Sequence, residues 1–137
     1  MSKKSAKDLF FVAEEDFKDG KKLYTNNPDE FKRLICFSMQ QAVEKYIKAY
    51  LIYHDKPYKK THDISLLIQN AVEIDEDFNK LYEINADSLT DYAVEIRYDR
   101  TYITLSKEKE TEAVLIAENV RSFIMKKLPE LFEYNSR

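Results

Sequence analysis

Residues 31–53 read FKRLICFSMQQAVEKYIKAYLIY, more than twenty positions without a glycine or a proline. The apolar residues recur at helical spacing. On a wheel of about 100° per residue, Phe31, Ile35, Ser38, Ala42, Tyr46, Ala49 and Tyr53 share one face. Met39, Val43, Ile47 and Tyr50 widen that face toward half the circumference. Arg33, Gln40, Gln41, Glu44 and Lys48 fill the remainder, with Glu44 one turn before Lys48 as a favourable pair. An apolar arc this wide belongs to a helix packed on more than one side, the central rod of a bundle. The expected entry is Asn27 as cap, Pro28 at the first helical position and Glu30 reaching back.

Working outward, the rest of the chain reads as further helices. From Ser5 to Tyr24, Ala6, Leu9, Ala13, Phe17 and Gly20 repeat every three or four positions. Gly20 is the only glycine; on the stripe near the helix end it reads as a close helix–helix approach, with a bend as the alternative. The short connection 25–28 predicts that the first two helices pack antiparallel. Pro57 disfavours a helical Lys56 and ends the central helix near His54. Thr61 or Asp63 can cap a third helix through Ile64, Leu67, Ile68 and Ala71. The acidic run 73–77 breaks that helix and suits the start of a fourth. This one is expected to carry Phe78, Leu81, Tyr82, Asn85, Leu89, Tyr92, Ala93 and Ile96 on one face. Ser106 caps a last helix with Ala113, Ile116, Ala117, Val120, Ile124 and Leu128 as its stripe, and Pro129 lies near its stop. The tail from Leu131 to Tyr134 is apolar enough to dock. The expectation is one all-α domain over 1–137, an up-and-down antiparallel bundle of about five helices.

Composition narrows the function. With 137 residues, 44% hydrophobic content and one glycine, the chain can bury a core but cannot supply the turns of a β-rich fold. The net charge is −3, from 22 basic and 25 acidic residues, so a nucleic-acid role must rest on a local patch. The most basic stretch is Lys56, Lys59, Lys60 and His62, interleaved with Tyr58. A single cysteine, Cys36, excludes an intrachain disulfide or a Cys-based zinc cluster and reads as a buried thiol. No stretch approaches the roughly 18 apolar residues of a membrane span, and no signal peptide is visible, so the expected location is the cytoplasm. The two histidines, His54 and His62, flank a proline turn without carboxylates spaced to complete a metal site, and no metal or cofactor is expected. His62 reads most simply as a residue that orients the third helix.

The order of motifs resembles a known family. The stretch 36–51, CFSMQQAVEKYIKAYL, is similar to the second-helix signature of HEPN domains, roughly C-F-x-x-Q-Q-A-x-E-K-x-x-K-A-x-L. Thr61-His62-Asp63-Ile64 resembles the T-H-D-L element that follows. Leu89-Thr90-Asp91-Tyr92-Ala93 through Arg97-Tyr98 resembles the later L-T-x-Y-A…R-Y element. The resemblance implies a helical bundle that forms a homodimer. It further implies a pairing, toxin–antitoxin-like, with a nucleotidyltransferase of the MNT class, and nucleotide or RNA binding near the matched Arg. The family's ribonucleases carry an Arg followed four to six residues later by His. Here the Arg is Arg97, and the candidate positions hold Thr101, Tyr102 and Ile103, none able to act as general acid or base near neutral pH.

The candidate nucleotide or RNA contacts are therefore Arg97, Tyr98, Arg100, Tyr102, Lys45 and His62. Guanidinium forks suit phosphate, and the tyrosines can stack on a base. The opposing reading of Arg97 is an ion pair with Glu44 inside the bundle. Gln40, Gln41 and Lys45 suit a dimer seam or a solvated face as well as a ligand. The leading function is a non-catalytic binding module. The alternatives are a divergent ribonuclease toxin using Arg97 or Arg100 with His62 or a tyrosine, and a purely structural partner protein. The central rod makes a direct prediction: Ala42→Glu buries an unpaired charge and is expected to lower stability by several kcal/mol. Urea unfolding that shows less than about 1 kcal/mol would mean the rod is misplaced.

Overall fold

The structure, a computed structural model, describes residues 2–92 and 105–131. It is all-α, with no strand among the described residues. Helix α1 spans Ser2–Asn26, α2 Lys32–Tyr53, α3 Ile64–Val72, α4 Lys80–Glu83 and α5 Lys107–Lys127. Two 3₁₀ turns, Glu76–Asn79 and Ala86–Leu89, flank α4.

Helix α2 is the rod that its pattern implies. It packs most extensively on α1, then on α5 and α3, and Ile35, Met39, Ala42, Tyr46, Ile47 and Ala49 are wholly inaccessible. Contacts of Glu14 with Tyr46 and of Gly20 with Met39 run in opposite chain directions, so α1 and α2 are antiparallel. The same holds for α1 and α5, where Glu14 meets Arg121 and Tyr24 meets Thr111. Rings link the layers: Phe10 lies 5.4 Å from Tyr46, and Phe78 bridges Tyr50 at 4.4 Å and Phe123 at 4.9 Å. Offset and edge-on ring pairs of this kind add to plain area burial. The α5 stripe from Ala113 to Leu128 is buried as expected, and so is Leu131.

Two local expectations are corrected. Asn27 does not cap α2, because α1 continues to Asn26 and the backbone turns through Asp29 at φ 74°. Helix α2 starts behind Phe31 without a side-chain cap. The Asn27 amide instead donates to Glu30 at 3.3 Å, and the fully buried Glu110 of α5 accepts the Asp29 N–H with both oxygens at 3.3 Å. The fourth helix is not continuous either. Asp75 caps the first 3₁₀ turn by accepting the Asp77 N–H at 2.9 Å, and Asn85 at φ 62° ends α4. Left-handed backbone cannot be carried through an α-helix, so the face is assembled from short pieces. Phe78, Leu81, Leu89 and Tyr92 are still buried, whereas Asn85 is exposed. Ala93 and Ile96 lie outside the described residues.

Among the described residues, three other than glycine adopt positive φ: Asp29, Asp55 and Asn85. Asp and Asn tolerate this region best after glycine, so they do its work at turns in a chain with one glycine. That glycine is spent on packing. A Cβ on Gly20 would sit 2.9 Å from Met39 Cε and 2.9 Å from Ser38 Cβ, which confirms the close approach of α1 to α2. Met39 can give way, but Ser38 Cβ moves only with its backbone. Gly20→Ala is expected to lose about 1 kcal/mol net, overpacking outweighing the gain in helix propensity. A rise in thermal midpoint would contradict it.

Candidate functional site

The site is built where α2 ends and the chain returns along it to α3. The Lys56 N–H bonds to Leu51 O at 2.9 Å and the Asp55 N–H to Ile52 O at 3.0 Å, closing α2 in a Schellman motif with Asp55 in the position glycine usually takes. Pro57 follows. Asp63 then caps α3, its carboxylate accepting the Ser65 N–H at 2.9 Å and the Leu66 N–H at 3.4 Å, while Thr61 Oγ1 accepts the Asp63 N–H at 2.9 Å. Thr90 Oγ1 accepts the Ile64 N–H at 3.0 Å. These bonds fix residues 61–64 against the bundle and bring His62 to α2.

There it meets Glu44, whose side chain is only 4% exposed. One carboxylate oxygen lies 2.8 Å from His62 Nδ1 and accepts from Gln40 Nε2 at 3.0 Å; the other accepts from Lys48 Nζ at 3.0 Å. A carboxylate so deeply buried stays in place only with partners of this kind. From Gln40 the chain of bonds continues: Gln41 Nε2 donates to Gln40 Oε1 at 2.8 Å, and Lys45 Nζ donates to Gln41 Oε1 at 3.2 Å and to Asp16 Oδ2 of α1 at 2.5 Å. The Lys48 ammonium sits 5.8 Å from the centre of the Tyr58 ring. One polar line thus runs from α1 across α2 to the loop before α3. His62 is the open end of it, with a side chain 54% exposed.

The predicted residues divide accordingly. Glu44 and His62 are brought together. Lys45 joins the same line, with its ammonium already held by Asp16 and Gln41. The expected Glu44–Lys48 pair is present. Gln40 is wholly buried, so its edge of α2 is neither a solvated face nor an outer seam at that position. Arg97, Tyr98, Arg100 and Tyr102 lie outside the described residues, and with them the Glu44–Arg97 pair; Glu44 takes three donors within the described part. His54 packs against Tyr50, with ring centres 4.5 Å apart and the planes tilted by 53°. Cys36 is fully buried, and burial, aided by the Glu110 carboxylate, pushes its thiol up to about 12. A thiol in that state is no nucleophile near neutral pH. Among the described residues, no group of three or more His, Cys, Asp and Glu is placed to hold a metal ion. Nor is any described helix long and apolar enough to cross a membrane.

A second buried cluster escaped the sequence reading. Glu14 of α1 accepts from Arg121 Nε at 2.6 Å, from Arg121 Nη2 at 3.0 Å and from Tyr46 OH at 2.5 Å. The signal available was Tyr46 itself: a tyrosine at the centre of a buried face needs an acceptor for its hydroxyl. Its partner, however, lies thirty-two positions away on another helix.

A family model of the HEPN domain matches residues 6–128. The chain therefore belongs to the HEPN domain family, a family of nucleotide- and RNA-related modules. No curated protein and no solved structure matches it.

The Glu14 cluster carries a pH prediction. Burial pushes the Glu14 carboxyl upward, but the hydrogen bonds from Arg121 and Tyr46 and the guanidinium charge outweigh it, so the group titrates below its ordinary value of 4.5. A folded-state value below the unfolded one means stabilisation that is complete above about pH 4.5 and is lost as the pH falls through the folded value. Glu14→Gln is expected to lower stability at pH 7 by about 2 kcal/mol and to flatten the loss of stability in acid. Urea titrations between pH 7 and pH 3 check both; an unchanged acid slope would remove Glu14 from the account.

Proposed function

We propose that this chain is a non-catalytic HEPN module that homodimerises and binds a nucleotide or RNA, or a partner nucleotidyltransferase of the MNT class in a toxin–antitoxin-like pair. One observation carries the reading: no histidine follows Arg97, because the chain's two histidines are His54 and His62. The imidazole that the family's ribonucleases draw from the Arg-containing element is therefore missing from its own motif. His54 is packed against Tyr50, and His62 is bonded to Glu44. Arg97 and Arg100 remain as guanidinium forks for phosphate, with Tyr98 and Tyr102 as faces for a base.

The second reading is a divergent ribonuclease in which His62 replaces the missing histidine. A specific feature favours it: a half-exposed imidazole oriented through Nδ1 by a buried carboxylate is how a general base is commonly held. One titration separates the two. Purified protein is mixed with ATP and with a short single-stranded RNA, and both binding and cleavage are followed. Binding without cleavage, weakened at least about tenfold by Arg100→Ala with no change in thermal midpoint, is the expected result. Cleavage that survives metal chelation and disappears in His62→Ala would overturn it in favour of the ribonuclease. Light scattering of the same sample tests the dimer.

A further inference from the structure

The two nitrogens of the His62 imidazole stand in different surroundings. Nδ1 lies 2.8 Å from Glu44, a carboxylate 4% exposed that Gln40 holds on the same oxygen and Lys48 on the other. The side chain as a whole is 54% exposed, so the solvent-facing part of the ring lies away from that contact. An ionised carboxylate only accepts, so in the neutral ring Nδ1 carries the proton and Nε2 keeps the lone pair. The backbone on either side is fixed by Thr61 and by the Asp63 cap. Nε2 is therefore a nucleophile of fixed tautomer on a fixed loop.

The other histidine supplies a reference. His54 is exposed as well, but its ring rests against Tyr50 at 4.5 Å and Tyr53 at 5.2 Å, and no carboxylate bonds to it among the described residues. Exposure is shared by the two rings; the buried carboxylate is not. The surroundings of His62 also suit an arriving anion. Lys59 and Lys60, both exposed, precede it on the same loop, and the Lys48 ammonium sits on the second oxygen of Glu44. Helix α3 starts at Ile64 and turns the positive end of its dipole this way, while Asp63 is occupied with the Ser65 and Leu66 N–H groups.

We propose that His62 is a modification site whose Nε2 accepts a phosphoryl group from a small acyl phosphate. The Nε2 lone pair forms a bond to phosphorus, the bond from phosphorus to the bridging oxygen breaks, and the carboxylate leaves with that electron pair. The Nδ1 proton stays in its bond to Glu44, whose negative charge offsets the positive charge the ring acquires. Glu44 is the positioning residue of this step, and Gln40 and Lys48 keep it in place. The product carries a phosphoryl dianion at the open end of the polar line, beside the most basic stretch of the chain, and so reverses the local charge there. The inference is independent of the binding reading, because it uses neither Arg97 nor a nucleotide. It differs from the ribonuclease reading too: the ring attacks phosphorus itself and takes no proton from another nucleophile.

The test is incubation of the full chain with acetyl phosphate at neutral pH, with N–P bonds followed by ³¹P NMR. Signals are assigned with His54→Gln and His62→Gln. Acetylation of lysines by the same reagent adds no phosphorus and does not register. The expected result is a phosphohistidine at His62, joined through Nε2 and formed at least about tenfold faster than at His54. Glu44→Gln should slow the reaction at His62 at least about tenfold and leave His54 unchanged. Glu44 is buried, so the wild type in denaturing urea gives a second measure that needs no variant: there the two rates should converge. Equal rates in the folded protein, attachment through Nδ1, or no N–P bond at all would overturn the inference. So would a preference for His62 that persists in urea, since its cause would then be the neighbouring residues and not the buried carboxylate.

Discussion

Burying α2 on three sides leaves its polar groups with nowhere to go except against partners supplied by other elements. Water cannot reach Tyr46 OH or Gln40, and a polar group stranded in the core loses more than a typical hydrogen bond returns. The arrangement of the bundle can be read as the answer to that demand. Tyr46 is met by Glu14 of α1, and the charge this brings inside is met by Arg121 of α5. Gln40 is met by Glu44, and Glu44 by Lys48 and by His62 from the loop before α3. Helices α1 and α5 and the loop before α3 each contribute one of these partners. The apolar contacts bring the helices together, and the polar ones select the register in which they stop.

The same demand accounts for the connections. Glu110, fully buried in the first turn of α5, receives the Asp29 N–H and so pins the turn between α1 and α2. Lys127 at the far end of α5 reaches Asp75 at 2.7 Å and Asp77 at 2.6 Å, pinning the first 3₁₀ turn. The hydrogen bond from Lys127 lowers the Asp75 carboxyl from its ordinary value, with the Asp77 N–H adding to it. The last helix therefore clamps both ends of the fold, one end through a buried carboxylate and the other through a partly exposed ammonium. The first kind of contact is insensitive to salt and the second is not.

The polar line has one edge that is not closed. Asp16, Lys45, Gln41, Gln40 and Glu44 are all committed to one another, but His62 is half exposed, and Tyr58, held through Lys48, is on the same loop. A rigid scaffold carrying adaptable groups on a short loop is the usual way a binding surface is presented. The loop here is held at both ends, by a Schellman closure and by an Asp cap, so its exposed side chains project from fixed backbone.

Most of the fold was legible in the residues themselves. Helical periodicity over 31–53, the stripes of α1 and α5, the caps at Asp63 and Ser106 and the tight packing at Gly20 are local patterns, and local patterns act through geometry that repeats within a turn or two. The HEPN resemblance rested on motifs of the same short range. What the sequence could not reveal were interactions between residues far apart in the chain. Glu14 and Glu110 look like ordinary surface charges until the partner helices arrive, and Gln40 looks solvated until α2 is covered. The fourth helix looked continuous because its apolar spacing is regular, yet Asn85 takes a left-handed backbone that spacing does not encode. Burial is a property of the assembled bundle. It was tertiary packing that turned Glu44 from a helix-surface charge into the buried anchor of His62.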